Sequence, residues 1–83
     1  MKIYIYQRLD IENKLFEKIS KDRKEVEDFA FNDLIAIAGD ELGTNPDTGE
    51  TMKMRDWDLI DAIDIIWHCE YPINLLRFNE IKL

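Results

Sequence analysis

Four acids and a histidine are strung through the stretch DWDLIDAIDIIWH: Asp56, Asp58, Asp61, Asp64 and His68. Carboxylates so close together can hold a cation, share protons, or present negative charge to a basic surface. A metal set of Asp64, His68 and Cys69 is poorly arranged, because His68 and Cys69 are adjacent and project about 100° apart on a helix. His68 instead stands four residues after Asp64, the spacing of a helical ion pair, and as the one histidine it could add pH sensitivity. Cys69 has no nearby Lys, Arg or helix N-terminus to favour a thiolate and reads as a small apolar residue. Asp33 and Asp40, seven apart, could do acid-base work if buried; otherwise such acids mark a helix edge or meet an Arg from a strand, with Arg77 the candidate. The loop GTNPDTGET lacks the alternating ligands and final bidentate Glu of a calcium loop. No Ser/His/Asp set, Cys/His pair, Walker loop or dinucleotide fingerprint occurs. The expectation is a protein that is not an enzyme and uses no metal or cofactor.

The remaining chemistry is electrostatic. On a helix, Leu59, Ile60, Ala62, Ile63, Ile66 and Trp67 gather into one apolar arc, the expected core face. Asp58, Asp61, Asp64 and His68 fall opposite it, with Trp57 on their side and Ile65 at the margin. A solvated helix face would explain the acids, and Asp56 and Asp58 suit the positive end of the helix dipole. It does not explain why no Lys or Arg occurs from Asp56 through Leu76. Exposed helices commonly intersperse cations at i+4, each pair adding roughly 0.2 to 0.5 kcal/mol, and like charges at that spacing cost as much. Meeting a cationic partner would relieve that repulsion. Asp58, Asp61 and Asp64 rise about 4.5 Å from one to the next, near the roughly 3.4 Å axial step between phosphates on one DNA strand. The expected partner-binding set is therefore Trp57, as an aromatic anchor, with Asp58, Asp61 and Asp64, joined by Asp47 and Glu50 of the loop.

Charge over the whole chain points the same way. Residues 1–24 carry +3, residues 25–76 carry −11 and residues 77–83 carry +1, for a net −7 over 83 residues. A field of that sign repels nucleic acid and attracts basic proteins. The length suits one domain, residues 1–83, and 46% hydrophobic with 35% charged residues is the composition of a folded chain rather than a disordered one. No apolar run is long enough to span a membrane, the opening MKIYIYQRLD lacks the apolar core of a secretory signal, and one cysteine cannot form an internal disulfide; a cytoplasmic location is expected.

The elements that must position these acids can be read in outline. KIYIYQ alternates like a strand, with Ile3 and Ile5 on one face and Tyr4 and Tyr6 on the other. DIEN supplies a turn, and KLFEKIS pairs back as a second strand, although Ile11, Leu15 and Ile19 also fit a helical period. Ser20 and Asp22 announce a helix, Asp22 and Glu25 have capping-box spacing, and Gly43 is the expected stop after Leu42. Its apolar residues fall on two sides, Val26, Phe29, Ala30, Ala36 and Ile37 against Phe31, Ile35, Ala38 and Leu42. One sheet face covers only one stripe, so the second stripe is a candidate surface for a homodimer. TMKMR reads as a short strand, Asp56 as the cap of the acidic helix, Pro72 as its end, and INLLRFNEIKL as a last strand burying Ile73, Leu75 and Phe78.

The segment DLIDAIDIIWHCEYPINLLRF, an Asp- and Trp-bearing helix followed by Glu-Tyr-Pro and an apolar strand, resembles the central part of barstar-type ribonuclease inhibitors. It covers about a quarter of the chain. That resemblance implies an acidic helix and preceding loop that plug a basic nuclease site. Aligning Glu70-Tyr71-Pro72 moves the helix acids out of the family's register, so no binding residue is carried over. Size, acidity and the hairpin-then-helix start are also similar to small phage anti-restriction and anti-CRISPR inhibitors. The expected molecule is an α+β domain, a mostly antiparallel sheet of N-terminal hairpin and C-terminal strand with two helices packed on it. Its expected role is an acidic inhibitor, mimicking nucleic acid, of a nuclease or defence effector. The alternative is a homodimeric scaffold or regulatory module.

Overall fold

A computed structural model describes all 83 residues. In chain order the elements are β1 (Lys2–Asp10), β2 (Leu15–Ser20), α1 (Arg23–Ala38), β3 (Glu41–Thr44), β4 (Thr51–Lys53), a 3-10 turn (Met54–Asp56), α2 (Leu59–His68) and β5 (Ile73–Lys82). The main sheet is antiparallel with order β2-β1-β5, and β3 pairs with β4 in a separate small hairpin. This is the α+β arrangement the sequence suggested.

Local chemistry accounts for the first three elements. KLFEKIS is a strand, not a helix, because the Asp10 carboxylate turns the chain by accepting from the backbone N–H groups of Glu12 and Lys14, both at 2.9 Å. Asn13 completes the turn at φ 63°, a conformation asparagine tolerates better than most residues. Asp22 caps α1 by accepting from the Lys24 N–H at 3.0 Å. Glu25 does not complete a capping box with it. Its carboxylate is held by Lys18 Nζ at 2.9 Å and the Ser20 hydroxyl at 3.0 Å, across the junction from β2.

The far end of α1 departs from the sequence reading. The helix stops at Ala38, where Gly39 adopts φ 84° and donates back to the Ile35 carbonyl. Leu42 therefore belongs to β3, and the turn-rich GTNPDTGET is largely the loop of a hairpin whose arms are β3 and β4. The Met54 N–H donates to the Asp40 carbonyl and closes the hairpin base. Asp56 lies in the 3-10 turn, accepting from the Lys53 N–H, so it is Asp58 that occupies the N-cap of α2.

Both helices lie on one face of the sheet, α1 over β1 and β2, α2 beside α1 and over β5. From β1 that face receives Tyr4, Tyr6 and Arg8, and from β5 Leu76 and Phe78; Phe78 stands opposite Tyr6 in the register. Leu75 points to the other side, and Leu76 takes the core position expected of it. Tyr6, Val26, Ala30, Phe31, Leu34, Leu42, Met54, Leu59, Ala62 and Ile66 form the core. Burial of a large apolar side chain of this kind stabilises by about 1.5–3 kcal/mol. The second apolar stripe predicted for α1 is thus not a free surface: Phe31 and Leu42 are in the core, and Ile35 and Ala38 pack against it. The 3-10 turn and α2 pack against α1, and Arg55 of that turn lies over the Phe31 ring at 5.6 Å, contacts that a lone helix projection does not reveal.

Candidate functional site

The acids of the second half of the chain are all outside. Glu41, Asp47, Glu50, Asp56, Asp58, Asp61, Asp64 and Glu70 are exposed, and none of the eight has a Lys or Arg side-chain nitrogen within 4.0 Å. The two cations of residues 41–70 are committed elsewhere. Lys53 Nζ lies 4.0 Å from Asp40, and Arg55 reaches Asp28 at 3.4 Å while donating to Asn32 on α1. Asp64 meets only His68, whose Nδ1 lies 3.5 Å from the carboxylate and 2.8 Å from the Asp64 backbone oxygen. Both side chains are highly exposed, so the pair contributes little stability.

Of the ten other carboxylates, six are paired with a Lys or Arg side chain: Asp28, Asp33, Asp40, Glu25, Glu27 and Glu80. Lys18 and Ser20 hold the Glu25 carboxyl below its ordinary value, and Lys2 does the same for Glu80. The largest internal pair is Arg8 with Asp33, where Nε and Nη2 donate to Oδ2 and Oδ1 at 2.6 and 2.9 Å and the Tyr6 hydroxyl donates to the same Oδ2 at 2.6 Å. Asp33 therefore does meet an arginine from a strand, but that arginine is Arg8. Arg77 donates to Gln7 on the other side of the sheet. Phe16 lies under the Arg8 guanidinium at 3.9 Å, closing the pair against solvent. Asp33 and Asp40 share no site, and no pocket opens anywhere on the molecule.

Trp57, the expected aromatic anchor, packs within the molecule. It is half-buried, its indole N–H donates to the Leu42 carbonyl at 2.6 Å, and its ring approaches Gly43. Its task is to lock the β3–β4 hairpin onto the start of α2, so that Asp47 and Glu50 on the hairpin loop and Asp58, Asp61 and Asp64 on α2 belong to one connected unit. The aromatic that does face solvent is Trp67, 48% exposed, on the same side of α2 as Ile60 at 54%. Both were assigned to the core face from the helical projection. The buried side of α2 is instead centred on Leu59, Ala62 and Ile66, with Ile63 and Ile65 half-buried at its flanks. Ile60 and Trp67 sit at about 100° and 80° from Leu59 on the helical wheel and Asp64 at about 140°, so an apolar strip borders the acidic one. The sequence signal was there in the arc's width, which exceeds what one sheet edge and one helix can cover.

Compared with protein families, curated proteins and solved structures, the chain matches none.

Proposed function

We propose that this protein is a small acidic inhibitor that occupies the basic nucleic-acid-binding surface of a nuclease or defence effector. The observation that carries the reading is the set of eight exposed carboxylates over residues 41–70 without a Lys or Arg side-chain partner. Of the ten acids elsewhere, six have a Lys or Arg partner, as at Lys2–Glu80, Lys18–Glu25 and Arg23–Glu27. Leaving this segment unpaired costs like-charge repulsion that a basic partner removes.

Asp58, Asp61 and Asp64 are the charge contacts, with Asp47 and Glu50 of the hairpin loop at their side. Trp67 and Ile60 replace Trp57 as the apolar anchor, since an exposed Trp next to charge is the kind of residue that dominates binding energy. The likeness of Asp58 to Phe78 to barstar-type inhibitors, and of the whole to small phage inhibitors, adds a reason to place the partner among nucleases. The absence of a helix long and apolar enough to cross a membrane agrees with a partner met in solution.

The test is affinity capture from the organism of origin, eluted with a salt gradient and, separately, with double-stranded DNA or RNA. The reading expects a strongly basic nucleic-acid-binding protein, released by salt and displaced by nucleic acid. Recovery of neutral or acidic partners whose binding ignores ionic strength contradicts it.

A further inference from the structure

The side of the sheet that faces away from the helices has no cover. Alternation along the three strands sends Ile3, Ile5, Gln7 and Leu9 of β1, Leu15, Glu17 and Ile19 of β2, and Leu75, Arg77, Asn79 and Ile81 of β5 to this side. None of its apolar members belongs to the core, and Leu15, Ile19 and Ile81 are 49%, 53% and 42% exposed.

The register orders these residues into rows across the strands. Ile3 stands beside Ile81; Ile5 lies between Ile19 and Asn79; Gln7 lies between Glu17 and Arg77; Leu9 lies between Leu15 and Leu75. One charged row thus crosses a largely apolar face, whose other polar member is Asn79 in the Ile5 row, and hydrogen bonds hold that row. Arg77 Nε donates to Gln7 Oε1 at 2.6 Å, and Gln7 Nε2 donates to Glu17 Oε2 at 3.3 Å. It runs from a negative end on one edge strand to a positive end on the other.

We infer that this face is the interface of a twofold dimer of the chain, with the axis parallel to β1 and passing over Gln7. That operator exchanges the two edge strands. Glu17 of one copy then meets Arg77 of the other, twice, Gln7 meets Gln7, and each remaining row meets itself, with Ile19 opposite Asn79 in the Ile5 row. The other in-plane axis, across the strands, sets Glu17 against Glu17 and Arg77 against Arg77. Charge complementarity selects the first, and an isologous contact of this type is the common form of a homodimer. Facing sheets about 10 Å apart with aligned strands are also an ordinary sheet-on-sheet packing. The row leaves no charge unpaired at the centre, and Asn79 lies at the β5 edge, exposed.

The dimer is a helix–sheet–sheet–helix sandwich with α1 and α2 outermost. Each copy keeps its α2 acids on the outside, pointing away from the other copy, so the pair is bivalent.

Sedimentation velocity across a series from about 1 μM to about 1 mM, the concentrations that correspond to weak and moderate association, tests this on the intact chain. The mass should move from 9.9 kDa toward twice that value. Glu17→Arg and Arg77→Glu should each weaken association about tenfold or more, a change within reach of two lost and two repulsive contacts. The double variant E17R/R77E should return to within about threefold of the parent. Ile19→Lys, at an exposed position the fold tolerates, should abolish the dimer, and Lys24→Glu, exposed on α1 and away from this face, should leave it unchanged. Circular dichroism confirms that each variant is folded. A chain that stays monomeric throughout overturns the inference, as it would if another protein used this face. A dimer indifferent to Ile19→Lys, or a double variant as weak as the single ones, overturns it too.

Discussion

Arg8 of β1 meets Asp33 of α1 side-on, with Nε to Oδ2 at 2.6 Å and Nη2 to Oδ1 at 2.9 Å, and the two side chains are only 8% and 11% exposed. This is the polar bolt between helix and sheet, and it is fully satisfied because Tyr6 occupies the remaining approach to Oδ2. Removing one partner of a buried pair strands the other charge, at a cost of about 3–5 kcal/mol. Asp33→Ala should therefore lower Tm by about 15 °C or more. Replacing both, as Arg8→Met with Asp33→Leu, should cost clearly less than Asp33→Ala alone. Thermal unfolding of the single and double variants measures the difference.

Tyr6 gives a pH signature. Burial is the main reason its hydroxyl is pushed well above the ordinary tyrosine range, with its hydrogen bond to Asp33 adding to the shift. A raised folded-state pKa means that the folded chain holds the proton where the unfolded chain has lost it. Stability from this group is thus complete below the unfolded value of about 10 and declines as pH rises above it. Denaturant midpoints between pH 8 and pH 11 should fall on the alkaline side, and Tyr6→Phe, though less stable near neutrality, should fall less. An equal alkaline slope in both proteins would remove this group as the cause.

The acid limb has the opposite sign. Lys18 and Ser20 depress Glu25, and Lys2 depresses Glu80, so their stabilisation is present above the ordinary carboxyl value of 4.5 and lost as pH falls through the lower folded value. Both groups are exposed, so the loss should be small. Salt should shrink it further. Comparing acid unfolding of the parent with Lys18→Met and Lys2→Met checks it: each variant should show a shallower decline below pH 4.5.

The two tryptophans should behave as opposites. Trp57→Phe removes the donor to the Leu42 carbonyl and should cost about 1–2 kcal/mol while raising hydrogen exchange in β3 and β4. Trp67→Ala should leave stability nearly unchanged and weaken partner binding by at least about tenfold. Acrylamide should quench the Trp67 emission that remains in Trp57→Phe far better than the Trp57 emission that remains in Trp67→Phe.

Much of this architecture was legible in the chain, because β1, β2 and the start of α1 are written in local terms. The alternation of KIYIYQ, the Asp10 and Asn13 turn, and the Asp22 cap each act within a few residues. The end of α1 was not, since Leu42 continues the apolar pattern of the helix while the backbone leaves it at Gly39. The same limit applies to α2. Periodicity gives the width of its apolar arc, but which part of the arc is covered depends on where α1 and β5 sit, and that left Ile60 and Trp67 outside. The exposed positions of Asp58, Asp61 and Asp64 followed from the sequence directly. The identity of Arg8 as the partner of Asp33 did not, because it depends on which strand runs beneath α1.

If the unpaired acids of residues 41–70 exist to meet a basic surface, reversing three of them together should abolish that contact. Titration calorimetry of the D58K/D61K/D64K variant against the partner recovered by affinity capture, at two salt concentrations, is the measurement. The three side chains are exposed and without Lys or Arg partners, so the fold should persist. The account predicts a loss of affinity of about a hundredfold or more at low salt, and a parent interaction that weakens as salt rises. An unchanged dissociation constant for the triple variant would contradict it.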